Sequence, residues 1–189
     1  MNWQNPDITI VIKQSAACLV SGLLSASIAL VILPLLETLF GVTTDITLLE
    51  ISDPAHPLLQ RLSMEAPGTY HHSLLVANLA QAAADEIGAN SLLARVSAYF
   101  HDVGKLVKPD FFVENIQFHD NPHDDLPPSM STLVITSHVK EGVSLGQIHK
   151  LPPPIIRAIQ EHHGTCLLSY FHYKAKSQLE SELTEINGG

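Results

Sequence analysis

The sequence predicts an all-α protein in which one transmembrane helix precedes a helical bundle. Three observations favour this fold class. Residues 14–36 contain no charged side chain. Further along the chain, apolar residues recur at helical spacing, and breaks rich in glycine or proline, such as Gly88 and 152–154, separate these segments. With 189 residues, the chain can form one domain with a hydrophobic core and an appended segment.

The uncharged run lies within an N-terminal segment, 1–40, that is predicted to cross a membrane. About 20 mostly apolar residues span the hydrocarbon core as a helix, and Pro34 can kink or end the span. A buried soluble helix and a signal peptide are alternatives. A signal peptide is disfavoured because the apolar part is long and no cleavage site of small residues follows. Lys13 alone, by the positive-inside rule, would place the N-terminus in the cytoplasm.

Residues 41–67 are predicted to be a connector that packs on the first helices of the domain. Its apolar residues from Leu48 to Leu62 form an amphipathic pattern, which Pro54 and Pro57 interrupt. Pro67 and Gly68 then indicate a turn. We therefore expect the first helix of the domain to begin at Thr69 or Tyr70.

The main domain is predicted to cover 68–176 as a series of helices. Its first helix is indicated by apolar residues at helical spacing, namely Leu75, Leu79, Ala82, Ala83 and Ile87. Asn90 or Ser91 is expected to cap the second helix, and Gly104 to end it. Pro128 suits the first position of the third. Residues 108–128 are expected to form a loop, and the acidic stretch 177–189 a frayed tail.

The overall charge limits the classes of partner. The net charge of −9 and the sequence pI of about 5.6 argue against binding long nucleic acid through a basic face. A small anionic substrate stays compatible with this charge if bound cations dominate the site. Two cysteines form neither a disulfide framework nor a zinc motif, whereas 11 histidines is a high number for this length. This surplus favours metal chemistry.

Four separate helical segments each carry potential metal ligands, either within the segment or at its end. Neutral imidazole and carboxylate groups together are typical ligands of divalent transition metals. Six such residues from four helices predict the two-metal site of a hydrolase; they are His72, His101, Asp102, His138, His162 and His163.

The order of these residues resembles the HD superfamily of metal-dependent phosphohydrolases. Three longer strings, 65–73 (EAPGTYHHS), 121–124 (NPHD) and 161–165 (EHHGT), are similar to the seven-transmembrane receptor HD family of bacteria. The characterised members of that family are cyclic di-AMP phosphodiesterases. The resemblance covers roughly the whole chain and implies an HD-domain bundle.

The resemblance implies hydrolysis of cyclic di-AMP to the linear dinucleotide with two divalent metal ions, manganese or iron, and with Asp102 as the bridging ligand. It also implies a chain anchored in the bacterial cell membrane with its HD domain in the cytoplasm, opposite to the orientation that Lys13 favours. A homodimer is a further expectation. Lys105, a turn beyond the ligands, is expected to neutralise a phosphate oxygen as a catalytic and substrate-binding residue. The alternative for Lys105 is a solvated lysine at a helix end.

The loop 108–128 is expected to supply substrate contacts through Phe111 and His123. Phe111, Phe112 and Phe118 could stack on a base, or they could pin the loop to the core. Asn121, His123 and Asp124 match the family string and are interpreted first as loop-ordering residues and second as substrate contacts.

The sequence departs from the HD pattern at its end, because no aspartate follows His163 to complete the ligands of the first metal. We therefore expect a chain truncated at both ends relative to the family, with a weakened metal site. Two alternatives stay open: a catalytically inactive signalling or nucleotide-binding module, and an HD phosphohydrolase of another nucleotide.

Overall fold

The computed structural model describes residues 8–116 and 120–188, which form α-helices, short 3₁₀ turns and loops. The α-helices, in chain order, are α1 (Ile8–Phe40), α2 (Asp45–Ile51), α3 (Pro57–Glu65), α4 (Pro67–Glu86), α5 (Ser91–Phe100), α6 (Pro128–Ile148), α7 (Pro153–Glu161) and α8 (Ser169–Gly188). Between α5 and α6 lie three 3₁₀ turns, Val103–Val107, Pro109–Phe111 and Val113–Asn115. No strand occurs in the described ranges, so the predicted all-α class is confirmed.

The N-terminal unit, 1–44, contains the long apolar helix α1. Its segment Ile8–Glu37 is long and apolar enough to cross a membrane, judged by length and composition. Pro34 lies inside α1 and does not end it, since the helix continues to Phe40. A proline removes one backbone hydrogen bond, and the neighbouring turns of a long helix can tolerate this loss.

The second unit, 45–189, has one hydrophobic core to which α2 and α3 already contribute. Leu48, Leu58 and Leu62 in these two helices are at most 1% exposed. The segment expected to connect the two units is therefore helical from Asp45, and it packs on α5 and α4 as expected. The main members of the core from the later elements are Val96, Phe100, Val103, Ile155 and Ile159.

Helix α4 begins at Pro67, two residues before the predicted start, because proline suits the first helical position. Its helical spacing is confirmed, but the apolar residues that revealed it lie mainly on the outer face. Leu75, Leu79 and Ile87 are exposed, whereas the small residues Ser73, Ala77 and Ala84 are buried. Small side chains let α4 lie close to α5, its principal neighbour.

The sequence suggested that Gly104 ends α5, but α5 ends at Phe100, and the φ of Gly104 is not positive. It lies in the turn Val103–Val107, where its backbone touches α6. A Cβ at Gly104 would collide with the backbone carbonyl oxygen of His138 and lie 2.5 Å from the amide nitrogen of Gly142. The glycine is therefore explained by this close approach of two backbones. The approach brings the residues after α5 next to the histidine of α6.

Two other segments are more regular than expected. The predicted loop 108–128 contains two 3₁₀ turns, and Phe118 within it lies outside the described residues. Helix α8 runs to Gly188, so the stretch expected to be a frayed tail is helical. Its sequence lacks proline after Ser169 and contains many good helix formers, which favours continuation of the helix.

Substitution of Gly104 by alanine tests the contact between the turn and α6. We expect Gly104→Ala to lower the free energy of unfolding by about 3 kcal/mol, because the added methyl group forces two backbones apart. Gly88→Ala is the matched control: its φ is +67° but its Cβ would meet no neighbour within 4 Å, so a loss of about 1 kcal/mol is expected. Chemical denaturation of both full-length variants in detergent measures the difference. An equal loss in the two variants would contradict the proposed close contact.

Candidate metal centre

The predicted ligands come together because α4, α5, α6, α7 and the turn Val103–Val107 pack against one another in this region. His101 follows the last residue of α5, and His162 follows the last residue of α7. His138 lies in α6, which contacts both α7 and the turn after Asp102. His72 lies in the second turn of α4, beside α5.

The carboxylate of Asp102 is the common neighbour of four histidines. Its side chain is 5% exposed. Oδ2 lies 3.1 Å from Nε2 of His101 and 3.9 Å from Nε2 of His72. Oδ1 lies 3.4 Å from Nε2 of His138 and 3.5 Å from Nε2 of His162. The two oxygens thus face two different groups of histidines.

Three of these histidines are oriented by the same local hydrogen bond. Nδ1 of His101, His138 and His162 contacts the carbonyl oxygen three residues earlier in each case, namely that of Ala98, Ile135 and Ile159. A carbonyl oxygen only accepts, so Nδ1 carries the proton and Nε2 is left as the ligand atom in the neutral ring. This arrangement is typical of metal-binding histidines, whose second nitrogen donates to a carbonyl or carboxylate.

The distances between the ligand atoms fit metal ions. Nε2 of His138 lies 3.3 Å from Nε2 of His162 and 3.2 Å from Nε2 of His163. Because Nδ1 of His138 and of His162 carries the proton, two lone pairs face each other, an arrangement that a cation stabilises. Ligand atoms bound about 2.1 Å from one ion lie about 3.0 to 3.4 Å apart. The residues present therefore fit a divalent metal.

The ligands form two groups that share Asp102. One group consists of Asp102, His138, His162 and His163, and the other of His72, His101 and Asp102. The second group is more open, since the His72 side chain is 48% exposed. Nε2 of His72 lies 3.9 Å from Oδ2 of Asp102, which exceeds the range of about 3.0 to 3.4 Å expected for two ligands of one ion. The structure thus brings together all six residues predicted as ligands, while metal binding by them stays a prediction.

Charge at the centre is concentrated on Asp102. Burial raises the pKa of this carboxyl, but interactions with His101 and His162 and the charges of His101 and Lys105 outweigh burial and hold the pKa far below its usual range. Burial lowers the pKa of His101, but its hydrogen bond with Asp102 outweighs this and leaves the pKa raised. Burial also lowers the pKa of His138 and of His163, which favours their neutral, ligating forms.

Lys105 does not extend into solvent, which was the alternative considered from the sequence. Its side chain is 13% exposed, and Nζ lies 2.9 Å from Oδ2 of Asp102 and 2.6 Å from Oε1 of Glu114. Nζ also lies 4.9 Å from the ring centre of Phe112. Burial lowers the pKa of Lys105, but the two carboxylates outweigh this effect and raise it, so the ammonium is charged. Contact of Lys105 with substrate stays a prediction.

His123 and Phe111, the predicted substrate contacts, lie together beside α8. The His123 ring is buried between the rings of Phe111 and Phe171, with centres 5.4 and 5.5 Å apart. Its Nε2 contacts the carbonyl oxygen of Phe111 at 2.9 Å, and its backbone N–H donates to Asn121. These contacts match the interpretation of His123 as a loop-ordering residue. A role in binding substrate stays a prediction for both residues.

Sequence reasoning did not identify Glu114, Thr69 and Asn115, which surround Lys105 and the start of α4. Glu114 contacts Lys105, and Asn115 exchanges two hydrogen bonds with Thr69 across 46 positions of sequence. Their side chains are common in loops and at helix starts, so only contact information would have revealed them.

Comparisons with known proteins show which proteins this chain is similar to. The cyclic-di-AMP phosphodiesterase PgpH of Bacillus subtilis strain 168 is 47% identical over 159 residues, which is 84% of this chain and 22% of that protein. PgpH of Listeria monocytogenes strain 10403S is 52% identical over 145 residues, or 77% of this chain and 20% of that protein. The chain thus spans about a fifth of the length of these curated relatives.

A solved structure and a family model extend the comparison. The crystal structure of the L. monocytogenes PgpH HD domain in complex with cyclic-di-AMP has a TM-score of 0.64 and 53% identity, and covers 67% of this chain and 59% of that one. The HD domain model matches residues 69–185. The resemblance predicted from the histidine pattern is therefore confirmed, and this chain belongs to the HD domain family.

Proposed function

We propose that this chain is a membrane-anchored, metal-dependent phosphodiesterase that hydrolyses cyclic di-AMP to the linear dinucleotide. One observation carries the proposal: two groups of ligand atoms share the buried carboxylate of Asp102. Paired metal ions that share a ligand suit the hydrolysis of a phosphodiester. The substrate is inferred from the relatives named as cyclic-di-AMP phosphodiesterases and from the neighbouring structure in complex with that nucleotide.

We further propose that the two groups hold two divalent ions, with manganese or iron as the metal. Mixed imidazole and carboxylate ligands suit both ions. Bound ions would supply Lewis acidity toward the phosphodiester and would lower the pKa of water in the site. Asp102 would be a ligand shared by the two groups, and the Nδ1 hydrogen bonds would fix the directions of His101, His138 and His162.

Three further residues, Lys105, His123 and Phe111, act on the carboxylate of Asp102 or on the substrate. Lys105 holds Oδ2 of Asp102, and its positive charge can stabilise a phosphate oxygen that approaches the ions. His123 orders the segment that carries Phe111, and the partly buried ring of Phe111 offers an aromatic edge for a base.

The membrane anchor belongs to the same proposal. Helix α1 would cross the bacterial cell membrane once, with the HD domain in the cytoplasm, where a cyclic dinucleotide signal is made and degraded. The apolar residues along α1 are exposed, as expected for side chains that face lipid.

Turnover tests the proposed activity directly. We expect the detergent-solubilised chain, loaded with manganese, to convert cyclic di-AMP to the linear dinucleotide. His138→Ala should lower this turnover by at least about 100-fold, because it removes a buried ligand. His71→Ala is the control, since His71 is exposed and precedes His72. Metal binding without turnover of cyclic di-AMP would support the inactive module, and turnover of a different nucleotide would support another HD phosphohydrolase.

Metal titration tests whether the two groups are unequal. We expect two bound ions, the tighter at the four-residue group, since more ligands from buried side chains favour binding. His72→Ala should then remove the weaker ion and leave the tighter one, whereas His162→Ala should affect the tighter ion. Calorimetry with Mn²⁺, supported by metal analysis after dialysis, measures both. Equal loss of both ions in His72→Ala would contradict the assignment.

Extraction of the membrane fraction tests the anchor. We expect the chain to stay in the pellet after an alkaline carbonate wash, because α1 would be embedded in lipid. The intact mass of the extracted chain distinguishes a retained span from a signal peptide, whose removal would shorten the chain. Protease added to sealed, right-side-out vesicles should leave the HD domain intact. Digestion of that domain would support the opposite orientation, which Lys13 favours.

A further inference from the structure

Glu114 links two parts of the metal centre through a single oxygen atom. Its Oε1 lies 2.6 Å from Nζ of Lys105 and accepts a hydrogen bond of 3.1 Å from Oγ1 of Thr69. Lys105 follows the His101-Asp102 pair, whereas Thr69 lies in the first turn of the helix that carries His72. Glu114 itself lies in the separate turn Val113–Asn115.

The same turn caps helix α4 from a distance. Ala66 at the start of α4 provides no side-chain cap, and the backbone N–H of Thr69 donates instead to Oδ1 of Asn115 at 3.0 Å. Nδ2 of Asn115 returns a hydrogen bond of 2.9 Å to Oγ1 of Thr69, which is fully buried. A Cβ at Gly68 would collide with the backbone carbonyl of Glu114. The 3₁₀ turn Val113–Asn115 and the first turn of α4 are therefore closely packed.

These contacts reach metal ligands on both sides. Lys105 lies 2.9 Å from Oδ2 of Asp102, the oxygen that also faces His101 and His72. On the other side, Thr69 precedes His72 by three residues, so the two are about one helical turn apart. Because the His72 side chain is half exposed, its position depends on how firmly the start of α4 holds the backbone of His72.

Charge gives a second reason for Glu114. A buried ammonium group needs a compensating anion. Lys105 contacts two carboxylates, Asp102 and Glu114. Cations bound at Asp102 would compensate the charge of that carboxylate, and Glu114 would then remain as the compensating anion for Lys105.

We propose that Glu114 is a positioning residue of the metal centre. It holds Lys105 beside Asp102, and it fixes the start of α4 so that His72 can join His101 and Asp102 in the more open of the two ligand groups. This inference rests on the proposed binding of metal. Glu114 acts through Lys105 and Thr69 and has no role as a ligand itself.

The first experiment compares metal binding by the full-length chain and its variants. We expect Glu114→Gln to weaken binding of the more weakly held Mn²⁺ ion by about 10- to 100-fold, as is typical when a residue that orients the metal ligands is lost. Asp110→Asn removes the same charge from an exposed position in the neighbouring turn and should change the affinity by less than about twofold. Excess Mn²⁺ should restore full occupancy in Glu114→Gln, which separates a misplaced ligand from an unfolded domain.

The second experiment needs no metal. In the presence of a chelator, Glu114→Gln should lower the midpoint of thermal unfolding, and adding Lys105→Met to it should recover part of the loss, because the buried ammonium left unpaired is then removed. Additive effects of the two substitutions would overturn the inference, as would a Glu114→Gln chain that binds Mn²⁺ like the unmodified chain. Failure of the unmodified chain to bind Mn²⁺ would instead contradict the proposed function, and the thermal comparison would still decide the contact between Glu114 and Lys105.

Discussion

The structure of the second unit depends on keeping one carboxylate buried and charged. Asp102 lies two residues after Phe100, the core residue that ends α5, and an uncompensated negative charge there would be costly. His101 and Lys105 supply positive charge from the same stretch of chain, and histidines of α4, α6 and α7 complete the surroundings. Each of these contacts requires a helix in a defined position. The electrostatic requirement of one residue therefore constrains how four helices pack.

Much of this arrangement could be predicted from sequence because metal ligands keep a recognisable order and chemistry. Five of the six proposed ligands lie in the first two turns of a helix or just after its last residue, where local signals such as Gly164 and Asn90 help to locate them, whereas His138 lies in the middle of α6. Asn90 indeed caps α5, through a hydrogen bond to the N–H of Leu93. The all-α class follows from the same periodic patterns, which depend only on residues close together in the chain.

The features that escaped prediction depend on contacts between distant parts of the chain. Leucines at helical spacing revealed α4 as a helix, yet its small residues are the ones that pack on α5. Gly104 has the typical position of a residue that ends a helix, and only the neighbouring backbone of α6 explains it. Likewise Glu114 has no local motif, because its partners lie 9 and 45 positions away in the sequence. Spacing predicts an element, but it does not reveal the partner of that element.

The presence of Asp102 in both groups has a thermodynamic consequence for any two cations that these groups would hold. The first cation to bind withdraws negative charge from the carboxylate, so the second finds a weaker attraction and a nearby positive charge. By linkage, each ion lowers the affinity for the other by the same factor. Two ions bound there would therefore behave as one negatively cooperative unit, and the free metal concentration would set how many of the two positions are filled.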